Sequence, residues 1–118
     1  MEKVNLAQKF YLIHDYWRPK IVGELNESYV KLVKLKGEFV WHKHDREDEL
    51  FLVIKGTLMI KLRDQDIQLG EGELAIIPKG VEHMPVANDE VQVILLEPRT
   101  TVNTGDIQNE RTVESEWL

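Results

Sequence analysis

Between Ser28 and Pro98 the chain is a succession of short strand-like runs broken by glycine and proline, and this pattern sets the fold class. The runs Ser28 to Lys36 (SYVKLVKLK) and Glu38 to His44 flank Gly37, and Leu50 to Lys55 and Thr57 to Arg63 flank Gly56. Ile67 to Leu69 lies between the Asp64-Gln65-Asp66 turn and Gly70-Glu71-Gly72. Leu74 to Ile77 stops at Pro78-Lys79-Gly80, and Val91 to Leu96 is the last strong run before Pro98. Many short strands at nearly regular spacing predict an all-β sandwich or barrel rather than alternating βαβ units.

The one helical signal precedes them. Asn5 is a suitable N-cap, and Leu6, Phe10, Ile13 and Trp17 form a single apolar stripe that Pro19 should end. At 118 residues the chain is long enough for one core and not for two. The expected organisation is a single domain over 1–118, with a helical segment at 1–20, a barrel at 21–99 and a tail at 100–118. That tail is polar and acidic apart from Trp117-Leu118, and the sequence leaves open whether it docks through those two residues or stays disordered.

Composition excludes several functions. A net charge of -6 and a pI near 5.2 oppose nucleic-acid binding, which needs a basic surface. No apolar run approaches the ~20 residues that span a bilayer, so no membrane partner is expected. The N-terminus MEKVNLAQKF lacks a charged-then-apolar signal pattern, and with no cysteine the expected compartment is the cytoplasm. Any metal would have to be held by histidine and carboxylate.

The stretch Val40 to Glu49 (VWHKHDREDE) carries two histidines one residue apart and four acidic residues. On a strand, positions i and i+2 face the same way, so His42 and His44 would share a face with Glu38 and Val40. A lone HxH is more often chance than a site. Glu49 changes the balance, because a hairpin loop over residues 45–48 would bring it roughly opposite His44. Asp45, Arg46, Glu47 and Asp48 then read as loop-tip solvation, with Glu47 and Asp48 as fallback ligands if the register shifts. His83 follows the Pro78-Lys79-Gly80 turn and could return to the pair in a closed β-fold. His14, beside Asp15 on the helix, reads as a surface or packing residue.

These residues carry a resemblance. Gly37-x4-His42-x-His44-x4-Glu49-x6-Gly56 resembles the first signature motif of the cupin superfamily, and Gly72-x5-Pro78-x-Gly80-x2-His83 resembles the second. The first motif is one residue short between its glycine and first histidine. In the second, Ala87 stands where the family usually has asparagine, with Asn88 one step on. The chain is similar to stand-alone single-domain cupins of bacterial type, sometimes described as mannose-6-phosphate isomerase-like. Asn103-Thr104-Gly105-Asp106 is also familiar from such proteins, with no role that the sequence supplies.

The resemblance implies a jelly-roll β-barrel of two antiparallel sheets around a cavity, with one divalent transition metal (Zn, Ni, Fe or Mn) held by His42, His44, Glu49 and His83. Gly56 and Gly80 would then permit turns of positive φ. Three neutral imidazoles and one carboxylate leave a divalent ion at about +1 with open positions for a small-molecule ligand. The cavity wall is expected from Val40, Phe51, Val53, Leu58, Ile60, Ile76 and Met84, with Glu38 as a candidate general base. Leu50, Leu52 and Ile54 would face outward and need cover, either from the helix or from a second copy in a homodimer. Two functions fit: an oxygenase- or isomerase-type metalloenzyme acting on a small metabolite, or a binding or sensing module. A phosphosugar isomerase fits poorly, because Arg18, Arg46, Arg63, Arg99 and Arg111 are scattered and none follows a phosphate-binding loop.

Overall fold

The computed structural model describes residues 1–118. Its elements are α1 (Leu6–Tyr11), β1 (Lys20–Leu25), β2 (Ser28–Glu38), β3 (Glu49–Lys55), β4 (Leu58–Leu62), β5 (Asp66–Leu69), β6 (Leu74–Ile77), β7 (His83–Pro98) and β8 (Glu116–Trp117). The all-β jelly-roll expectation is met. Its organising strand is β7, whose two halves have different neighbours. Residues 83–86 pair with β4, and residues 92–96 pair with β3, while β2 runs antiparallel along the other edge of both halves. The change of neighbour falls at Asn88, Asp89 and Glu90, which are exposed and lie opposite the register shift between Leu35 and Gly37 of β2. This bulge bends the pair and lets one strand pair serve two sheets. One sheet continues through β3 to β6 and through β2 to β1 and β8, and the other through β4 to β5.

Between the sheets lies the main core. Val33 and Leu35 of β2, Phe51 and Val53 of β3, Leu58 and Ile60 of β4, and Val91, Val93 and Leu95 of β7 all face into it. Alternation along each strand produces this: β3 reads buried at Glu49, Phe51 and Val53 and half-buried at Leu50, Leu52 and Ile54.

Two elements differ from the sequence reading. The Asn5 cap forms, with its side chain accepting from the Gln8 N–H at 3.0 Å, but the helix ends at Tyr11. Strand β2 captures the rest of the expected stripe: the Ile13 carbonyl accepts from Lys34 Nζ at 2.8 Å, and the Trp17 N–H donates to the Lys34 carbonyl at 2.9 Å. Phe10 and Ile13 still pack on Leu32, with Ile54 and Ile94 beside them, so the helix covers part of the outer sheet face. Trp17 leaves the stripe, takes a φ of 64° and stacks on Phe39 with ring centroids 4.8 Å apart.

The second difference concerns Glu38 to His44, expected as a strand paired with β3. Strand β2 runs through Gly37 and stops at Glu38, and β3 pairs instead with β6 and β7. Residues 39–48 form an irregular loop fastened at separate points.

Candidate metal centre

The fastenings of that loop aim its histidines. His42 and His83 exchange two backbone hydrogen bonds, His42 N–H to His83 carbonyl at 3.0 Å and the reverse at 2.9 Å, an isolated antiparallel bridge. This bridge ties the loop to the first residue of β7. The His44 carbonyl accepts from the Gly80 N–H at 2.8 Å, and Gly80 has the φ of +83° that the turn reading required. Asp48 accepts from the Lys79 N–H at 2.9 Å, and Glu47 accepts from the Thr100 hydroxyl at 2.7 Å. Both acids therefore serve the loop's structure rather than the ligand set. Glu49 opens β3 on its inward parity.

The donor atoms of His42, His44, Glu49 and His83 converge, none more than 4.8 Å from another, and all four residues are buried. Glu49 Oε1 lies 3.4 Å from His44 Nε2 and 3.5 Å from His83 Nε2. A ligand shell at ~2.1 Å from an ion is ~4.2 Å across, so closure of about half an ångström collects the set. Two rings are already oriented for it. His42 Nδ1 and His83 Nδ1 each meet a backbone carbonyl, of Val40 and Val81, at 2.9 Å, which leaves Nε2 to offer its lone pair. Nε2 of His44 and of His83 are buried with no hydrogen-bond partner, a costly state for polar atoms that bound metal would relieve. The residues fit a transition-metal ion.

Electrostatics agree. Burial, and then the neighbouring His83, lower the His42 pKa to about 4, so this imidazole is neutral near pH 7. Burial opposes the charge on Glu49, but the neighbouring Glu97 carboxyl and the His44 and His83 imidazoles outweigh it and hold the carboxyl well below its ordinary range. Glu97 was not foreseen from the sequence. Burial and the Glu49 charge push its pKa well above the usual carboxylate range, although Lys31 Nζ sits 2.9 Å away and pulls the other way. A signal for the pair existed. Lys31, Val33 and Leu35 alternate on β2, as do Val91, Val93, Leu95 and Glu97 on β7, so each charge occupies an otherwise apolar, inward parity.

Beside the donors is a cavity of about 40 Å³, bounded by His42, Glu49, Glu97, Phe51, Trp17, Phe39 and Asn103 among others. Of the expected wall residues, Phe51 alone borders it. Val53, Leu58 and Ile60 are wholly buried in the main core. Ile76 is 57% exposed, because on β6 the inward position is Ile77. Val40 and Met84 are half-buried and outside the lining, and Val40 contributes its carbonyl to His42. Glu38 is exposed at the outer end of β2, where the strand has left the inward parity, so it is not placed as a base. His14 is exposed, as expected.

The family model of the cupin domain matches residues 30–99, well over half of the chain and inclusive of all four donors. The chain is a cupin. It is 38% identical over 63 residues to the uncharacterized protein YdbB of Bacillus subtilis (strain 168), a match covering 52% of this chain and 56% of that protein. The chain thus spans about half the length of the curated relatives it matches. The crystal structure of a cupin-2 domain containing protein from Shewanella frigidimarina NCIMB 400 superposes with a TM-score of 0.80 at 49% identity, covering 81% of this chain and 94% of that one. Protein NMB1881 from Neisseria meningitidis superposes at 0.76 with 32% identity, covering 82% and 99%.

The depressed His42 pKa has a stability consequence for the metal-free cupin. Above about pH 6.5 the imidazole is neutral in both folded and unfolded states and contributes nothing. Between pH 6.5 and about 4 the unfolded chain takes up a proton that the folded one refuses, so stability falls as pH falls. Urea denaturation of the metal-free protein should show a loss on the order of 3 kcal/mol from this residue, and His42→Gln should flatten that slope. An unchanged slope in the variant would refute the assignment.

Proposed function

We propose that this cupin binds one divalent transition metal, among Zn, Ni, Fe and Mn, through His42, His44, Glu49 and His83 and uses it to act on a small metabolite. The supporting observation is the convergence of four buried donors, with Nε2 of His44 and of His83 lacking any protein partner. The ligand set would leave coordination positions open toward the cavity, where the ion would supply Lewis acidity or, if redox-active, electron transfer. The chain's own residues do the rest. Phe51, Phe39 and Trp17 wall off water, and the His42–His83 bridge and the Gly80 turn fix the imidazoles. Glu97 places a carboxyl that is not a ligand on the same cavity. That last feature favours an oxygenase- or isomerase-type enzyme. The second reading, a binding or sensing module, gains from Glu38 lying outside the cavity, which leaves no free base there. Turnover of oxygen or of a carbonyl substrate by the metal-loaded protein separates the two.

Inductively coupled plasma mass spectrometry of protein purified without a histidine tag or chelator tests the centre. About one transition metal per chain is expected, lost in His42→Ala and in His83→Ala. Failure to bind or take up metal on reconstitution would remove the metal-dependent reading.

A homodimer belongs to the same proposal. The helix covers Ile54, but Leu50 and Leu52 of β3 lie opposite Ile76 and Leu74 of β6, which are 57% and 53% exposed. An apolar face on an edge strand is suited to a second copy. Sedimentation should give twice the chain mass, reverting toward monomer in a Leu74→Lys/Ile76→Lys variant. A wild-type monomer at micromolar concentration would contradict it.

A further inference from the structure

We propose that the cavity takes a small carboxylate and that Arg111 recognises its anionic end, a step that rests on the metal-dependent reading above. The Arg111 guanidinium carbon lies 5.8 Å from the Trp17 ring centroid and 5.6 Å from that of Phe39. Those two rings stack on each other, both line the cavity, and Phe39 meets the His42 ring edge-on at 5.4 Å. Arg111 thus sits one aromatic ring away from the donors, against the rings that wall the cavity and outside the lining itself. Its backbone is pinned: the N–H donates to Asn109 Oδ1 at 2.8 Å, and the carbonyl accepts from Asn103 Nδ2 at 2.7 Å. Asn103 itself lines the cavity.

The guanidinium, by contrast, makes no ion pair and donates no hydrogen bond to the protein. Arg63 and Arg99 are paired with Glu82 and Glu27 on the surface. Arg111 is half-buried, so its planar fork of donors is left for a ligand. One guanidinium matches one carboxylate through two parallel hydrogen bonds, whereas a phosphomonoester would call for further cations, and the cavity lining holds no Lys or Arg. An ion of residual positive charge at the inner end would take a second oxygen donor. The ligand class is therefore a short acid carrying oxygens at both ends, and a cavity of about 40 Å³ keeps its middle slim.

The test uses cobalt-loaded protein, with cobalt stoichiometry measured first and ligand-field absorption as the readout of binding. Succinate, its neutral-ended analogue succinamate, and acetate are the probes. Succinate should bind about ten-fold more tightly than succinamate, and that ratio should fall toward one in Arg111→Gln, with acetate binding unchanged. A ratio near one in the native protein, or one that Arg111→Gln leaves intact, would overturn the proposal. Native protein that takes up no cobalt would instead overturn the metal reading, a separate failure.

A second observation stands independently, and it concerns the Asn103-Thr104-Gly105-Asp106 segment. We infer that Gly105 and Asp106 are positioning residues for the two histidines of the loop. Lys43, between His42 and His44, donates its N–H to Asp106 Oδ1 at 3.0 Å, and its carbonyl accepts from the Asp106 N–H at 3.0 Å. Both backbone groups that a strand partner would have bonded are thus taken by one residue of the tail. Gly105 permits the approach: a Cβ there would lie 2.2 Å from the Lys43 carbonyl oxygen and 3.0 Å from His42 Cδ2, and its φ is +58°. Thr104, fully buried, anchors the segment from behind by donating to the Ile107 carbonyl at 2.6 Å.

Removing such support typically weakens metal affinity 10–100-fold. Cobalt affinity by chelator competition should fall within about that range in Asp106→Ala and recover in Asp106→Asn, whose amide oxygen still accepts the Lys43 N–H. Lys43→Ala should stay within about two-fold, because the contact runs through the Lys43 backbone. Folding is followed by circular dichroism. Native cobalt affinity in a folded Asp106→Ala protein, or no recovery in Asp106→Asn, would overturn the inference.

Discussion

The reciprocal backbone bridge between His42 and His83 is the contact on which the centre depends. The four donors come from three places with no common secondary structure: an irregular loop, the first residue of β3 and the first residue of β7. A regular ladder would hold them by repetition, but the loop has none. Its geometry comes from single fastenings, and the bridge is the one that joins two donors directly, leaving the rings with centroids 4.3 Å apart. The Gly80–His44 bond and the Asp106–Lys43 pair then fix the direction in which the second histidine leaves that anchor.

Behind the donors is a buried row of titratable groups, Lys31 to Glu97 to Glu49. Isolated charges in such surroundings are costly, and each group here lies against the next. Lys31 Nζ and Glu97 Oε1 lie 2.9 Å apart on side chains 3% and 1% exposed, so their contact lacks solvent and depends on its own geometry. Glu97 takes the proton that Glu49 gives up, because two adjacent buried carboxylates cannot both remain charged without a large penalty. The outcome is a donor set carrying one negative charge, a suitable complement to a divalent ion.

The sequence disclosed the fold class and the converging residues for a physical reason. Glycine and proline mark turns locally, and strand alternation is local too, so β3 through β6 could be read from short windows. Local signals did not decide the interior of the loop. His42 and His44 read as a strand because i and i+2 share a face, yet the backbone that satisfies them comes from His83, Gly80 and Asp106, far along the chain. The helix ended early in the same way: Lys34 offered its ammonium to the Ile13 carbonyl and its own carbonyl to the Trp17 N–H, partners that an isolated helix could not outbid. Glu97 was legible in principle, as a charge on an apolar parity. The cavity wall was not. Trp17, Phe39 and Asn103 reach it from three irregular segments, and only tertiary packing brings them together.

That division bears on what distinguishes this chain from other cupins. The family match at residues 30–99 contains the four donors, Glu97 and Lys31, the parts that a shared metal chemistry would require. Trp17, Asn103, Gly105, Asp106 and Arg111 all fall outside it, although they border the cavity, brace the histidine loop or lie against the rings that line the cavity. Residues on a rim and in a tail can change without disturbing the ladders that hold the barrel, since few backbone bonds of the sheets pass through them. Selectivity for a ligand can therefore vary there while the donor set stays fixed. The tail is packed rather than loose, with Thr101 and Thr104 buried and β8 paired in parallel with β1, so a side chain such as Arg111 is presented from a fixed backbone. An anion held by a preorganised guanidinium loses less entropy on binding than one held by a free side chain. A packed tail that brings Asn103 to the cavity and Arg111 to its aromatic wall thus gives a small barrel a means of selection that the barrel itself, filled by its own core, has no room to supply.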